Sequence, residues 1–224
     1  IAINGVTYNK VTDSKGTVSI NLNLNSGNYV VLTTFDGTNK FKKASVKSTV
    51  TIKSTIKCSD FTKYYKNTDY YYAKFYDNKG NPLKNTNVKI KLNGKKYTIK
   101  TNYKGLAGLA VGLKPGKYTI IPINIKTTES ITKTVTIKSL IETNDLVYNE
   151  TDTGKFNVKI FNSNGKISPY TKVIVKVDGK TFKIKTNKKG IATLNLDLNY
   201  GKPFIQYNTR PENPEKDLKK NWLL

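Results

Sequence analysis

The chain has 224 residues, 39 of them Lys or Arg against 15 Asp and Glu, for a formal net charge of +24, with no histidine and one cysteine. That inventory excludes Ser-His-Asp and Cys-His catalysis, histidine-based metal sites and any disulfide within the chain. The length allows one large domain or two to three small ones, each with its own core, and no apolar run is long enough to span a membrane.

Val, Ile, Leu, Tyr and Thr dominate the patterned segments, and no helical apolar spacing occurs before residue 212, so strands are predicted almost throughout. The chain opens without methionine at Ile1, inside a strand pattern and with no visible signal peptide. It reads as a mature piece or fragment of something longer. Asn4-Gly5 then marks a two-residue hairpin, Asp13-Ser14-Lys15-Gly16 a slightly longer turn, and Ser26-Gly27 a third. The series returns as Asn93-Gly94, Asn102 to Gly105 and Pro115-Gly116, and again as Asp178-Gly179, Asn187 to Gly190 and Tyr200-Gly201. In each copy the glycines are 11 residues apart and then 11 apart again. Asn-Gly or Asp-Gly between alternating apolar runs specifies a type I′ turn, whose two central residues both need φ > 0. The Asx-x-x-Gly turns ask for a left-handed glycine. A further echo, Thr49 to Ser54 against Thr134 to Ser139, has the same 85-residue offset that separates Gly94 from Gly179.

The middle copy, 54–138, reads as complete, with seven strands near 55–59, 69–76, 86–93, 95–101, 106–112, 117–123 and 131–138. Cys58 falls in the first of these and reads as a small buried apolar residue. Residues 1–53 form a partial copy that lacks the two strands preceding its first hairpin. Residues 139–208 form a third copy without a clear last strand, in which Lys202-Pro203-Phe204 replaces the Gly-x-Tyr of the other two. Residues 209–224 are a tail with Pro211 and Pro214, which reads as a short helix from about Glu215, an extended arm or the start of another module. Turns every 8–12 residues with period-2 alternation between them mark a β-sandwich. The fold class is therefore all-β: tandem Ig-like β-sandwich repeats, about seven strands per complete module, truncated at both ends.

Arg210 is the only arginine, and lysines occupy nearly every second position of strands such as Val88-Lys89-Ile90-Lys91-Leu92. Lysine is a hydrated point charge without the planar fork that reads bases, so the charge reads as the solvated face of sheets rather than a specific nucleic-acid surface. Many Lys, Asn and Ile residues also fit an AT-rich genome. A positive field this broad still attracts anionic polymers in a salt-sensitive way.

Tyr65-Lys66-Asn67, Asp77 to Leu83 (Asp-Asn-Lys-Gly-Asn-Pro-Leu), Val88 to Tyr97, Thr101 to Gly105 and Leu113 to Tyr118 together resemble the Ig-like repeats of adhesin-like surface proteins of methanogens, of the bacterial-Ig-like or invasin type. The resemblance covers about residues 1–208. It implies an extracellular stalk of stacked modules on an archaeal cell wall, used for attachment, and it carries over no catalytic residue.

Candidate sites are few. The acids sit mainly in turns (Asp13, Asp36, Asp77, Asp178), where turn formation explains them better than paired-carboxylate catalysis. No Asp-x-Asp-x-Asp calcium pattern occurs, and Asn144-Asp145 with Asp152 reads as a junction turn. No cofactor is expected. The aromatic cluster Tyr64, Tyr65, Tyr70, Tyr71, Tyr72, Phe75 and Tyr76 offers the one tempting binding face. Tyr64, Tyr70 and Tyr72 are its candidates, or Tyr71 if the register is opposite. An intramolecular Lys–Asn isopeptide bond and a glycan at the sequon Asn149-Glu150-Thr151 stay open. The expected partners are a surface glycan or protein of another cell, the cell's own wall, or other copies of the chain joined through open sheet edges. Three functions compete: an adhesive stalk, a filament or sheath subunit completed by strand exchange, and a binder of anionic polymers.

Overall fold

The computed structural model describes residues 1–147, 154–196 and 205–209. Among these residues the structure is all-β, without a helix, and consists of tandem Ig-like β-sandwich repeats. The first copy contributes β1 (Ala2–Ile3), β2 (Val6–Thr7), β3 (Gly27–Phe35) and β4 (Ala44–Ile52). The second holds β5 (Ile56–Lys57), β6 (Phe61–Tyr64), β7 (Tyr70–Phe75), β8 (Asn87–Leu92), β9 (Lys95–Lys100), β10 (Leu106–Ala110), β11 (Gly116–Ile123) and β12 (Lys133–Lys138). The third holds β13 (Ile141–Thr143), β14 (Gly154–Ile160), β15 (Lys172–Val177), β16 (Lys180–Lys185), β17 (Ile191–Leu196) and β18 (Ile205–Thr209).

Two compact units result, one of Ile1–Asp60, Tyr71–Leu109 and Thr119–Lys133, the other of Phe61–Tyr70, Ala110–Tyr118 and Thr134–Leu224. In the first unit β2-β1-β3-β4 form one sheet and β10-β7-β5 another, while β8 pairs antiparallel with both β9 and β11. Tyr71, Ala73 and Phe75 of β7, Val88, Ile90 and Leu92 of β8, and Ala107 and Leu109 of β10 are buried. Their spacing of two sends alternate residues inward, as the pleat requires. In the second unit β12 runs parallel to β6, and two three-stranded sheets, β13-β14-β17 and β16-β15-β18, enclose a core. That core comprises Phe156, Val158, Ile160, Val173, Val175, Val177, Ala192, Leu194 and Leu196.

The repetition extends to strand register. Ile56 opposes Phe75 and Ile141 opposes Ile160; Asn87 opposes Lys100 and Lys172 opposes Lys185; Leu92 opposes Ile120 and Val177 opposes Ile205. Each pair recurs 85 residues on. In the first copy Ile3 opposes Val31, the same pairing as Leu92 with Ile120 but 89 residues earlier. β18 thus takes the place of β11 in the third copy although the sequence leading into it departs from the pattern. Any later strand of that copy, the tail after Thr209, Asp152, the sequon and Gly201 lie outside the described residues.

The turns show how the glycines act. Asn4 and Gly5 (φ 49° and 77°), Asn93 and Gly94 (46° and 83°) and Asp178 and Gly179 (47° and 76°) are left-handed at both central positions. Gly16, Gly105 and Gly190 lie at φ 74°, 75° and 72°. In each of these three turns the Asx side chain accepts the N–H groups two and four residues on. The third glycine of the series does different work. Gly27, outside the left-handed region, opens β3, and Gly116 (φ 152°) opens β11. A Cβ on either would stand 3.4 or 3.2 Å from the hydroxyl of the tyrosine two residues on. Tyr29 donates its hydroxyl to the Asn25 carbonyl at 2.8 Å, and Tyr118 to that of Lys114 at 2.9 Å, a tyrosine-corner arrangement.

Two sequence expectations need correction. β6 was not among the strands read from the sequence; it forms because Phe61–Tyr64 finds a parallel partner in β12. Cys58 is only half-buried, because it follows the two-residue β5 and so leaves the ladder that would have carried it inward.

Candidate functional site

Among the described residues no group of three or more His, Cys, Asp and Glu is placed to hold a metal ion. An open depression is lined by Asp77, Asn78, Leu83, Lys126 and Thr127.

The aromatic segment is sorted by the pleat of β7. Tyr71 is 1% exposed, whereas Tyr70 and Tyr72 are 49% and 54% exposed. Burial, then the neighbouring Cys58 thiol and Asp60, raise the Tyr71 phenol well above its ordinary range. The Tyr72 ring lies over Gly108 of β10, so close that a Cβ there would stand 2.7 Å from it; the glycine makes room for the ring. Tyr64 is placed differently. Its ring meets Phe161 at a centroid distance of 5.5 Å, the Lys138 ammonium stands 5.6 Å from it, and Gly165 approaches so closely that a Cβ would fall 2.4 Å from the ring. Asn67 and Asn164 face each other nearby at 3.4 Å. Tyr64 is therefore half-buried in packing between residues of the second and third copies, while Tyr70 and Tyr72 present their rings to solvent.

Lysine–aromatic pairs recur elsewhere on the surface. Lys104 lies 5.4 Å from the Tyr103 ring and Lys185 5.6 Å from that of Tyr170; both tyrosines are well exposed. Such pairs join a flat apolar surface to a cation and suit sugars or anionic groups.

Two polar groups stand out that the sequence reading missed. Glu129 accepts hydrogen bonds at 2.5–2.7 Å from the Ser26, Ser54 and Thr55 hydroxyls and the Thr55 N–H. Burial opposes its ionisation, but the donors outweigh that and hold its carboxyl below the usual range. Asn124, fully buried, donates to the Thr55 hydroxyl and the Tyr76 carbonyl. This knot ties Ser26 of the first copy to Ser54, Thr55 and Glu129, all in the same unit. Lys63 is the other surprise. Only 7% exposed, it donates to the carbonyls of Asn67 and Asp69; burial lowers its pKa, against the raising effect of Asp69. Alternation alone reads such a lysine as solvated, as Lys89 of β8 is. Only the closing of the 64–69 loop over β6 reverses that. The shared signal in the sequence was slight: an acid and a lysine out of step with the repeat.

No protein-family model and no curated protein matches the chain. Among solved structures it is similar to Parabacteroides merdae β-glucuronidase, at 12% identity and a TM-score of 0.24, covering 66% of this chain and 22% of the enzyme. The chain thus spans about a fifth of that protein. It is also similar to domains 4–9 of the surface layer protein SbsC (14% identity, TM-score 0.29, 82% of this chain and 33% of that one). A third likeness is to a structure titled for host cell surface retention of a 1.5-MDa bacterial ice-binding adhesin (13% identity, TM-score 0.24, 87% and 73%). Values this low carry no argument about what the chain does.

Proposed function

We propose that this chain is a non-enzymatic, extracellular segment of an adhesin-like stalk that displays tandem modules for attachment to cells or surfaces. The observation carrying this reading is that one strand register recurs at offsets of 85 and 89 residues. Among the described residues no group of three or more His, Cys, Asp and Glu is placed to hold a metal ion in any copy. A repeated module with a plain surface is what spacing and display require, and each added copy extends the array by one nearest-neighbour contact. The modules are taken as 1–53, 54–138 and 139–208, and their sequence resemblance to methanogen surface repeats suggests an archaeal wall as the anchor. Tyr70 and Tyr72 form the candidate contact face, with glycan or protein of another cell as its partner. Tyr64 serves packing in this reading rather than contact.

The positive charge favours a second reading, salt-sensitive binding of anionic polymers. One experiment separates the two. Beads coated with the chain are tested for retention on isolated cell-wall material and on polyphosphate across a salt series. Attachment through the tyrosine face predicts wall retention that survives 0.5 M salt, roughly five times the ionic strength at which charges are screened within about 10 Å. It also predicts at least a tenfold drop in retention with Tyr70→Ser and Tyr72→Ser together. Retention that vanishes with salt and ignores both substitutions overturns it in favour of the polyanion reading.

A further inference from the structure

The turn that leads into β15 has its counterpart 85 residues earlier, in the turn that leads into β8. Thr186 is buried; its hydroxyl donates to the Ser168 carbonyl and accepts from the Thr171 N–H. Its backbone accepts from the Tyr170 N–H and donates to the Thr171 carbonyl. These bonds hold Tyr170 in the left-handed region at φ 55°, where its counterpart Asn85 stands at 47°. Asparagine takes left-handed backbone readily, whereas a bulky tyrosine is strained there. The ring is not held for its burial, since Tyr170 is 63% exposed. Strain that the surrounding bonds enforce on an exposed side chain is a mark of ligand clamps.

Two lysines meet that ring. The Lys185 ammonium lies 5.6 Å from its centroid, and Lys185 stands directly opposite Lys172 across β15 and β16, both exposed. Directly opposed residues bring their Cβ atoms to about 5 Å, where like charges are destabilising. In the second copy the same two positions are Lys100 and Asn87, and no like charges oppose each other. Asp178 is the only acid between Ser168 and Thr186, and it follows the far end of β15. The third copy thus carries a strained aromatic and an opposed cation where the second carries two asparagines. Neither residue fills a core.

We infer that Tyr170, Lys172 and Lys185 form a binding site for an acidic polysaccharide. One sugar ring lies on the tyrosine, and its anionic group is held by the two ammonium groups. A flat ring with a hydroxyl at its edge suits the apolar face of a sugar. An anion between two opposed cations turns their repulsion into attraction. Single-stranded nucleic acid fits less well, because it stacks successive bases on successive aromatics. The next outward pair on this face is Ile174 with Lys183. The site is separate from Tyr70 and Tyr72, and it does not rest on the attachment reading.

The test titrates the full chain with oligogalacturonate, with a neutral galactose oligomer of the same length and with single-stranded DNA of the same charge. Calorimetry is run at about 0.15 M salt, where exposed charges are screened beyond about 8 Å. Saturable binding of oligogalacturonate is expected, weakened roughly tenfold or more by Tyr170→Asn and by Lys172→Asn. Each of these variants carries the residue of the second copy. Lys100→Ser, at the counterpart of Lys185, should leave binding unchanged. No binding, equal affinity for the neutral oligomer, or indifference to Tyr170→Asn overturns the inference. So does an effect of Lys100→Ser as large as that of Lys172→Asn, since binding would then follow diffuse charge. Tighter binding of DNA that is lost with Tyr170→Asn also overturns it and makes nucleic acid the occupant. If circular dichroism shows either asparagine variant to be unfolded, NMR titration of the unaltered chain decides. Oligogalacturonate that shifts the Tyr170 and Lys185 resonances supports the site, and shifts confined to other residues, or none, overturn it.

Discussion

Residues 17–22 and 106–111 carry the same alternation after the same turn, yet only the second set is a strand with a closed inner face. The turns themselves scarcely differ: φ is 74° at Gly16 and 75° at Gly105, and both loops close through the same Asx hydrogen bonds. What differs is the neighbour. At Gly105 a Cβ would meet the Phe75 carbonyl at 2.6 Å and the Leu83 N–H at 3.0 Å, whereas at Gly16 nothing lies within 4 Å. Thr101 repeats the lesson. It is 2% exposed, with a hydroxyl that donates to the Leu83 carbonyl and accepts from the Thr86 N–H, as Thr186 does with Ser168 and Thr171. Thr12, its counterpart in the first copy, is exposed. Local sequence fixes the turn; the strand across from it fixes the burial.

The contrast can be broken most directly in the core. Leu109→Ala should destabilise its copy by about 2–5 kcal/mol through lost transfer energy and a residual cavity, whereas Ile20→Ala should cost less than about 1 kcal/mol. Denaturant unfolding followed by hydrogen exchange in each segment measures both, and equal losses would mean that the two segments are equally buried. A smaller difference is expected at the glycines. Gly105→Ala combines left-handed strain with a clash against backbone and should cost about 3 kcal/mol, against about 1 kcal/mol for Gly16→Ala, where strain acts alone. Matching thermal shifts for the two variants would contradict this.

The smallest effect concerns the knot that holds Ser26. Glu129→Gln keeps the shape but weakens hydrogen bonds made to a charge, and should cost about 1–2 kcal/mol near neutral pH. The folded-state pKa of Glu129 lies below its ordinary value. Its contribution is therefore fully present above the ordinary glutamate range and is lost as pH falls through the lower folded value. The unaltered chain should consequently lose its advantage over Glu129→Gln in acid, and stability curves that stay parallel down to pH 3, about a unit below the usual glutamate value, would refute the assignment.

Much of this protein was written locally. Asn-Gly, Asp-Gly and Asx-x-x-Gly specify left-handed backbone within a few residues, so the turns, the strand boundaries between them and the all-β class were legible without any partner. The candidate face was half legible: period two put Tyr70 and Tyr72 together and apart from Tyr71, but left open which side was covered. Tyr64 could not be placed, because Phe161 and Gly165 come to it from roughly a hundred residues away in sequence. β6 exists only through a parallel partner in β12, Lys63 is buried only because the loop after it closes over its amine, and Glu129 gathers donors from residues 26, 54 and 55. Alternation states that a strand has two faces. Which one meets water depends on what another part of the chain lays against it, and that is decided in three dimensions.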